Sequence, residues 1–134
     1  MDFIVIDTDV VSYLFKGDTR GDLYAPYLED NLGVLSFMTI AELDFWADAR
    51  NWGEKKRAEL ETFLKPYIVI ESNRELCRQW AALNYQAQRG GYHIETADAW
   101  IAATALLYNV PLVTHNRRHF IHVNGLNLIS ESPS

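Results

Sequence analysis

The chain has 134 residues, of which 49% are hydrophobic and 13% aromatic, and its formal net charge at pH 7 is −6. This composition excludes a disordered chain, and the acidic balance argues against a protein that holds DNA nonspecifically through basic residues. The single cysteine excludes an intrachain disulfide and predicts a reducing, cytoplasmic location. No stretch approaches the ~20 apolar residues that a membrane span needs, so no membrane association is expected. The length predicts one domain over residues 1–134.

Short apolar runs alternate with helical patterns along the sequence. In chain order, the patterns predict a strand at 3–6, helices at 8–16 and 23–31, a strand at 34–37, helices at 39–50 and 54–64, a strand at 67–70, helices at 73–89 and 96–108, a strand at 111–114, a short helix at 117–121 and a fifth strand at 126–129. Strands that alternate with helices form parallel sheets through right-handed crossovers. The sequence therefore predicts a three-layer α/β/α protein with a central parallel sheet of four to five strands.

Four polar residues are predicted beyond the carboxyl ends of these strands, where ligands of parallel α/β sheets bind. Asp7 ends the first strand, and Asn116 lies just beyond the fourth. Glu42 is one turn into the helix after the second strand, and Asp98 is at the start of the apolar helix 96–108. Three carboxylates brought together repel one another unless a cation lies between them. Oxygen ligands select Mg²⁺ or Mn²⁺, and the histidines lack the paired spacing of a zinc site.

Each carboxylate also has an ordinary structural alternative. Asp7 can cap the first helix, and Asp9 is predicted to be solvated or to cap the same helix. Glu42 fits a capping box opened by Thr39, in which the glutamate reaches back to the threonine backbone N–H. Asp98 is the most informative of the acids, because a carboxylate beside an apolar helix is costly and its pKa rises. The residues alone leave these alternatives open.

Four segments frame these residues: VIDTDVVS at 5–12, TIAEL at 39–43, DAWIAATA at 98–105 and LVTHNRRHF at 112–120. In this order they resemble the PIN-domain ribonucleases, specifically the VapC-type toxins of bacterial type II toxin–antitoxin pairs. The resemblance implies an α/β/α fold and an endoribonuclease that depends on Mg²⁺, with Mn²⁺ as a substitute. It also implies a VapB-like antitoxin as partner, RNA as substrate and a homodimer.

The resemblance further implies roles for individual residues. Asp7 and Asp98 correspond to direct metal ligands, and Glu42 to the residue that positions water for cleavage. Asn116, the fourth catalytic candidate, falls on a family position that is often Asp, and its amide brings no charge. The flanking basic set comprises His115, Arg117, Arg118 and His119. We expect this set to contact RNA phosphates; the alternative is an ordinary solvated helix face.

Two other functions remain open on the sequence. The pattern around Asp7 and Asp9 also fits a haloacid-dehalogenase-like phosphatase in which Asp7 is the nucleophile. That family requires a lysine and a paired acidic motif after a later strand, whereas the fourth strand here leads into an asparagine and two arginines. The second possibility is a non-catalytic PIN-like binding module, which the asparagine at 116 allows and the intact set of three carboxylates disfavours.

Overall fold

The computed structural model describes residues 2–133, which contain five strands and six α-helices. The strands are β1 (Asp2–Ile6), β2 (Asn31–Ser36), β3 (Ile68–Ile70), β4 (Leu112–Val113) and β5 (Leu128–Ile129). The helices are α1 (Thr8–Lys16), α2 (Ala25–Asp30), α3 (Phe37–Ala49), α4 (Glu54–Leu64), α5 (Arg74–Gly90) and α6 (Thr96–Tyr108), with 3-10 turns at Thr19–Leu23 and Arg117–His119. All neighbouring strands are parallel, in the order β3-β2-β1-β4-β5. The predicted parallel α/β sheet is confirmed.

Side chains of β1 alternate between the two faces of the sheet and enter two hydrophobic cores. Val5 belongs to a core that contains Leu83 of α5 and Ile101 of α6. Ile4 and Ile6 belong to the other core, which is formed with residues of α1, α3 and α4. Because helices cover both faces, these three β1 residues are at most 2% exposed. The molecule therefore has the predicted α/β/α layers.

Helix α6 lies deep in the molecule because its inward residues are small. Ala99, Ala102 and Ala103 are fully buried, and such short side chains let the helix backbone approach the sheet and α5 closely. The helix ends at Asn109, which adopts the left-handed conformation with φ of 54°. No helix within residues 2–133 combines the length and the apolar character needed to cross a membrane.

The region between α1 and β2 differs from the prediction of one helix at 23–31. A 3-10 turn over Thr19–Leu23 precedes the shorter helix α2. Gly21 in this turn packs so closely on α1 that a Cβ there would stand 3.1 Å from the carbonyl carbon of Tyr13. Pro26 lies in the first turn of α2, where its missing N–H costs no hydrogen bond. The observed helix is therefore shorter than predicted and begins next to the proline.

Two further boundaries near the carboxyl ends of the strands also differ. Helix α3 begins at Phe37 rather than Thr39, because Ser36 Oγ accepts a hydrogen bond from the Met38 N–H at 3.0 Å and caps the helix. The predicted helix at 117–121 is a three-residue 3-10 turn. Helix starts and short turns depend on single side-chain bonds, which a hydrophobic pattern does not contain.

Strands β1 and β4 are adjacent although more than a hundred residues separate them, and Ile6 is opposite Val113. The chain places β2 and β3 on one side of β1 and then crosses to place β4 and β5 on the other. Loops at the ends of β1 and β4 therefore leave the sheet in different directions and open a crevice. The four predicted site residues approach this crevice.

Candidate active site

Asp7 follows β1 directly and is fixed at the crevice by bonds to β4, to the residue after β4 and to the start of α1. Its backbone N–H donates to the Val113 carbonyl at 2.8 Å. Oδ1 accepts from the Thr8 N–H at 2.8 Å, so Asp7 caps α1, and Oδ2 accepts from Thr114 Oγ1 at 2.7 Å. The residue is only 5% exposed, and burial raises the pKa of Asp7 well above its usual value, with repulsion from Asp9 adding to the rise. The capping alternative for Asp7 is confirmed, and the same carboxylate also lines the crevice.

Asp9 lies beside Asp7 and is half-buried, so the expectation that it is solvated is wrong. Its Oδ1 accepts from the Val10 N–H at 2.7 Å, which agrees with the capping alternative. Its Oδ2 accepts from the His115 N–H at 3.2 Å and from Asn116 Nδ2 at 3.0 Å. Burial raises the pKa of Asp9, although the bonds from the Val10 and His115 N–H groups oppose the rise. The carboxylate therefore connects the start of α1 to the segment after β4.

Glu42 is tied to α1 rather than to the start of its own helix. Thr8 Oγ1 donates to Glu42 Oε1 at 2.7 Å. Thr39 Oγ1 lies 2.8 Å from Thr8 Oγ1, and since Thr8 has one hydroxyl proton, Thr39 is the donor of that second bond. The capping box predicted for Thr39 and Glu42 is wrong, because Ser36 caps α3 and Thr39 lies inside the helix. The glutamate faces the crevice instead.

Asp98 lies in the first turn of α6, with 18% of its side chain exposed. Its Oδ2 is 3.2 Å from Nδ1 of His119. Burial raises the pKa of Asp98 to about 6, repulsion from Asp7 adds to the rise, and the charge of His119 opposes it. This rise agrees with the sequence argument that a carboxylate beside an apolar helix is destabilised in its charged form.

These side chains line one open hollow of about 420 Å³, which we call the acidic hollow. Its polar lining includes Asp7, Asp9, Glu42, Asp98, Asn116 and His119. The structure therefore brings together all four catalytic candidates, which come from the end of β1, from α3, from α6 and from the segment after β4. It also adds Asp9, which the sequence patterns did not place there.

The donor atoms of the acidic hollow suit a hard divalent cation. They are carboxylate and amide oxygens, while Nδ1 of His119 is engaged by Asp98. Within residues 2–133, no three His, Cys, Asp or Glu side chains form a ready-made metal-binding group. Glu42 is instead held by Thr8, and Asp98 by His119. In donor type and negative charge the residues fit Mg²⁺, with Asp7 and Asp98 as the two acids whose charged forms most need a cation.

A second hollow of about 320 Å³ adjoins the first, and we call it the basic hollow. It is lined by residues 115–119 and by Ser132, so the structure brings the predicted basic set together. Asn116 and His119 line both hollows. Arg117 is half-buried, whereas Arg118 and His119 are exposed. The set therefore forms one wall beside the carboxylates rather than the face of a regular helix.

The ring of His115 is held in a fixed position within this wall. Its Nδ1 lies 2.6 Å from the hydroxyl oxygen of the buried Tyr24, and the two share a hydrogen bond. Tyr13 and Tyr24 both pack against the imidazole edge-on, with ring centroids 5.7 and 5.6 Å away. Because Nδ1 is engaged inside the protein, Nε2 is the ring nitrogen left to meet a ligand.

Sequence reasoning missed the hydroxyl groups that orient the acids. Thr8 bonds to Glu42 through its side chain and to Asp7 through its backbone, and Thr114 bonds to Asp7. Both threonines lie just beyond the ends of β1 and β4, and this position is the feature of the sequence that indicates such a role. No such signal marks Asp9, because an acid in the first turn of a helix is usually a solvated or capping residue.

Comparisons with known proteins identify the family and the fold. The family model for the PIN domain matches residues 4–126. Ribonuclease VapC1 of Haemophilus influenzae strain R2866 is 29% identical over 125 residues, which cover 91% of this chain and 92% of that protein. VapC ribonuclease Y4jK of Sinorhizobium fredii is 31% identical over 136 residues, which cover 95% and 96%. The solved structure of VapBC-1 from nontypeable Haemophilus influenzae has a TM-score of 0.83 at 26% identity, covering 97% of this chain and 98% of that one.

Proposed function

The chain belongs to the PIN domain family and to its VapC ribonucleases, and from this premise we propose that it is the toxin of a type II toxin–antitoxin pair. Its proposed activity is Mg²⁺-dependent endonucleolytic cleavage of RNA, with Mn²⁺ as a substitute. The observation that supports this most is the convergence of Asp7, Glu42 and Asp98 on one hollow at the crevice of the sheet. Neither the phosphatase nor the non-catalytic alternative is favoured by the family match.

We assign the binding of the cation to Asp7 and Asp98. Burial raises the pKa of both carboxylates, and repulsion from Asp7 raises that of Asp98 further, so a divalent cation would relieve both effects. Thr8 and Thr114 hold Asp7 in place with bonds to both of its oxygens. When bound, Mg²⁺ supplies activation of water and neutralisation of charge on the scissile phosphodiester.

Glu42 is proposed to orient the attacking water and to accept its proton. The bond from Thr8 Oγ1 occupies Oε1 of Glu42, so this residue has a defined orientation and a second oxygen to offer. Asn116 is proposed to hydrogen-bond the substrate or water through its amide oxygen, since Nδ2 donates to Asp9.

The basic hollow is proposed to hold the RNA backbone. His115, Arg117 and Arg118 line it next to the carboxylates, and guanidinium groups contact phosphates through charge-assisted bonds. A phosphate bound there would extend the strand across Asn116 and His119, which line both hollows, into the acidic hollow. The net charge of −6 is compatible with this because the positive charge is local.

The proposed partners are a VapB-like antitoxin and a second copy of the chain. One of the similar solved structures is that of VapBC-1, which supports an antitoxin partner for this chain. A toxin that cleaves RNA acts where RNA is present, so we place it in the cytoplasm.

RNA cleavage by the purified chain tests the proposal. Mixed RNA is incubated with the protein in Mg²⁺ or in EDTA, beside Asp98→Asn and the control Asp44→Asn, which removes an exposed carboxylate of α3 outside the acidic hollow. Cleavage is expected with Mg²⁺ for the unsubstituted chain and the control only. Cleavage that survives EDTA or Asp98→Asn refutes metal dependence, and a folded protein that cuts no RNA with any divalent metal supports the non-catalytic module.

A further inference from the structure

We propose that Asp9 supplies a further carboxylate to the proposed metal site, in place of the charge that Asn116 lacks. The two side chains are in contact, because Asn116 Nδ2 donates to Asp9 Oδ2 at 3.0 Å. An acid at either end of this contact puts a negative charge at nearly the same point of the hollow. The inference rests on the proposed function and adds a residue to its metal site.

The Asp9 carboxylate has a fixed orientation. Its Oδ1 accepts from the Val10 N–H in the first turn of α1, and its Oδ2 accepts from the His115 N–H in addition to the asparagine amide. A side chain with three bonds from two separate segments does not rotate away into solvent. The carboxylate of Asp9 therefore keeps one defined position in the hollow.

The charge of Asp9 is electrostatically linked to both proposed metal ligands. Asp9 lies two residues after Asp7 along the chain, and its side chain lines the same hollow as those of Asp7 and Asp98. Three carboxylates that repel one another across one hollow share a field that a cation bound to Asp7 and Asp98 also experiences. Asp9 is thus expected to strengthen cation binding even if no Asp9 oxygen touches the ion.

A different role is compatible with the same bonds. Asp9 holds the backbone of His115 and the side chain of Asn116, so it also positions one wall of the basic hollow. If it were only a clamp, its removal would change the affinity for RNA and leave the affinity for the cation unaltered. The two roles are separable because they act on different ligands.

A double-mutant cycle on the full chain tests the proposal. Mn²⁺ binding without RNA is measured by calorimetry for the unsubstituted protein, Asp9→Asn, Asn116→Asp and the exchange variant that carries both substitutions. Removal of a unit charge from the hollow that holds the cation is expected to weaken Mn²⁺ binding by at least about tenfold in Asp9→Asn. Asn116→Asp is expected to bind more tightly, by about 3- to 10-fold, and the exchange variant to bind within about threefold of the unsubstituted protein. Asp44→Asn is the matched control and is expected to change nothing.

Three outcomes decide the matter. If Asp9→Asn binds Mn²⁺ as tightly as the unsubstituted chain but has a raised KM for RNA, the proposal is overturned. Asp9 is then only a clamp that positions the wall of the basic hollow. If Asp9→Asn does not fold, Asn116→Asp and the exchange variant differ only at residue 9, and equal Mn²⁺ affinities for these two overturn it. Failure of the proposed function is distinct, because Asp98→Asn then also leaves Mn²⁺ affinity unchanged.

Discussion

The acidic hollow and the basic hollow share Asn116 and His119 but are built in opposite ways. The acids come from widely separated segments, and most are at least half-buried and held by hydrogen bonds from hydroxyl or backbone groups. The basic side chains come from one run of five residues, of which Asn116, Arg118 and His119 are exposed. One hollow is thus a product of the whole fold and the other of a short stretch of chain.

This difference predicts that the acidic hollow carries out the cleavage and that the basic hollow binds the RNA. Buried like charges are held together only because the fold over-determines their positions, which is the arrangement expected where chemistry needs a fixed geometry. Arginines on a short turn at the surface adjust to a phosphate backbone and need no such accuracy. Substitutions in the acidic hollow should therefore change turnover, and substitutions in the basic hollow should change affinity.

The largest expected effect is the loss of one proposed metal ligand. Asp98→Asn, and separately Asp7→Asn, should lower kcat for RNA cleavage in Mg²⁺ by about a thousandfold, because several kcal/mol of charge stabilisation are lost. Single-turnover cleavage of a defined RNA measures this, with circular dichroism to verify folding. Asp44→Asn should cleave at the rate of the unsubstituted chain. If Asp98→Asn cleaves within about tenfold of that rate, Asp98 is not the metal ligand proposed here.

A smaller loss is expected for the residue that orients water. Glu42→Gln keeps an oxygen for the bond from Thr8 but removes the base, so kcat should fall by about 10- to 100-fold while KM changes little. Steady-state kinetics separate the two parameters. The matched control is Glu61→Gln, an exposed glutamate of α4 outside both hollows. A rise in KM at constant kcat contradicts the assigned role.

The basic hollow should respond in affinity rather than in rate. The double substitution of Arg117 and Arg118 by Ala should raise KM for RNA by about 3- to 10-fold and reduce the slope of log Kd against log salt by about 0.7 for each phosphate that is no longer bound. Binding titrations at several salt concentrations measure the slope. Lys55→Ala, an exposed lysine of α4, is the control. If the double substitution leaves the salt slope unaltered, the RNA backbone is not bound by these two arginines.

The smallest effect concerns stability of the metal-free chain as a function of pH. The pKa of Asp98 in the folded chain is about 6, above its ordinary value of 3.8. Between these values the folded state binds more protons than the unfolded state, so the contribution of Asp98 to the free energy of unfolding falls as the pH rises. Asp98→Asn removes this loss. Between about pH 4 and about pH 7, its free energy of unfolding should therefore exceed that of the unsubstituted chain by about 1–2 kcal/mol.

Urea unfolding in metal-free buffer across that range measures the gain. The comparison is made as the difference between Asp98→Asn and Asp44→Asn, which cancels the contributions of the other titrating groups. Saturating Mg²⁺ should reverse the sign above about pH 6, because the unsubstituted chain then has the tighter cation site. Parallel stability curves for the two variants contradict the raised pKa of Asp98.

Sequence patterns predict most of the fold because the signals are repetitive. The apolar runs of β1 and β2 and the helical patterns of α4, α5 and α6 extend over many residues, and the boundaries of α4 and α6 are those predicted. The start of α3 depends instead on one bond from Ser36, and the turn near Gly21 depends on its close approach to α1. Single interactions of this kind leave no periodic trace in a sequence.

The residues of the candidate site also differ in whether sequence patterns predict them. Asp7 and Asp98 are foreseeable, because one ends a buried strand and the other begins an apolar helix. Asp9 is not, since an acid in the first turn of a helix is usually a solvated or capping residue. Its place in the hollow depends on His115 and Asn116, more than a hundred residues away along the chain, and only the pairing of β1 with β4 brings them together.

The central claim is that acids from separate strand ends jointly hold a divalent cation. Anomalous scattering from crystals of the protein soaked in Mn²⁺ tests it most directly. A peak is predicted in the acidic hollow, within about 2–2.3 Å of one oxygen of Asp7 and one oxygen of Asp98. A peak bound to neither carboxylate, in crystals of a protein that cleaves RNA with Mn²⁺, contradicts the account.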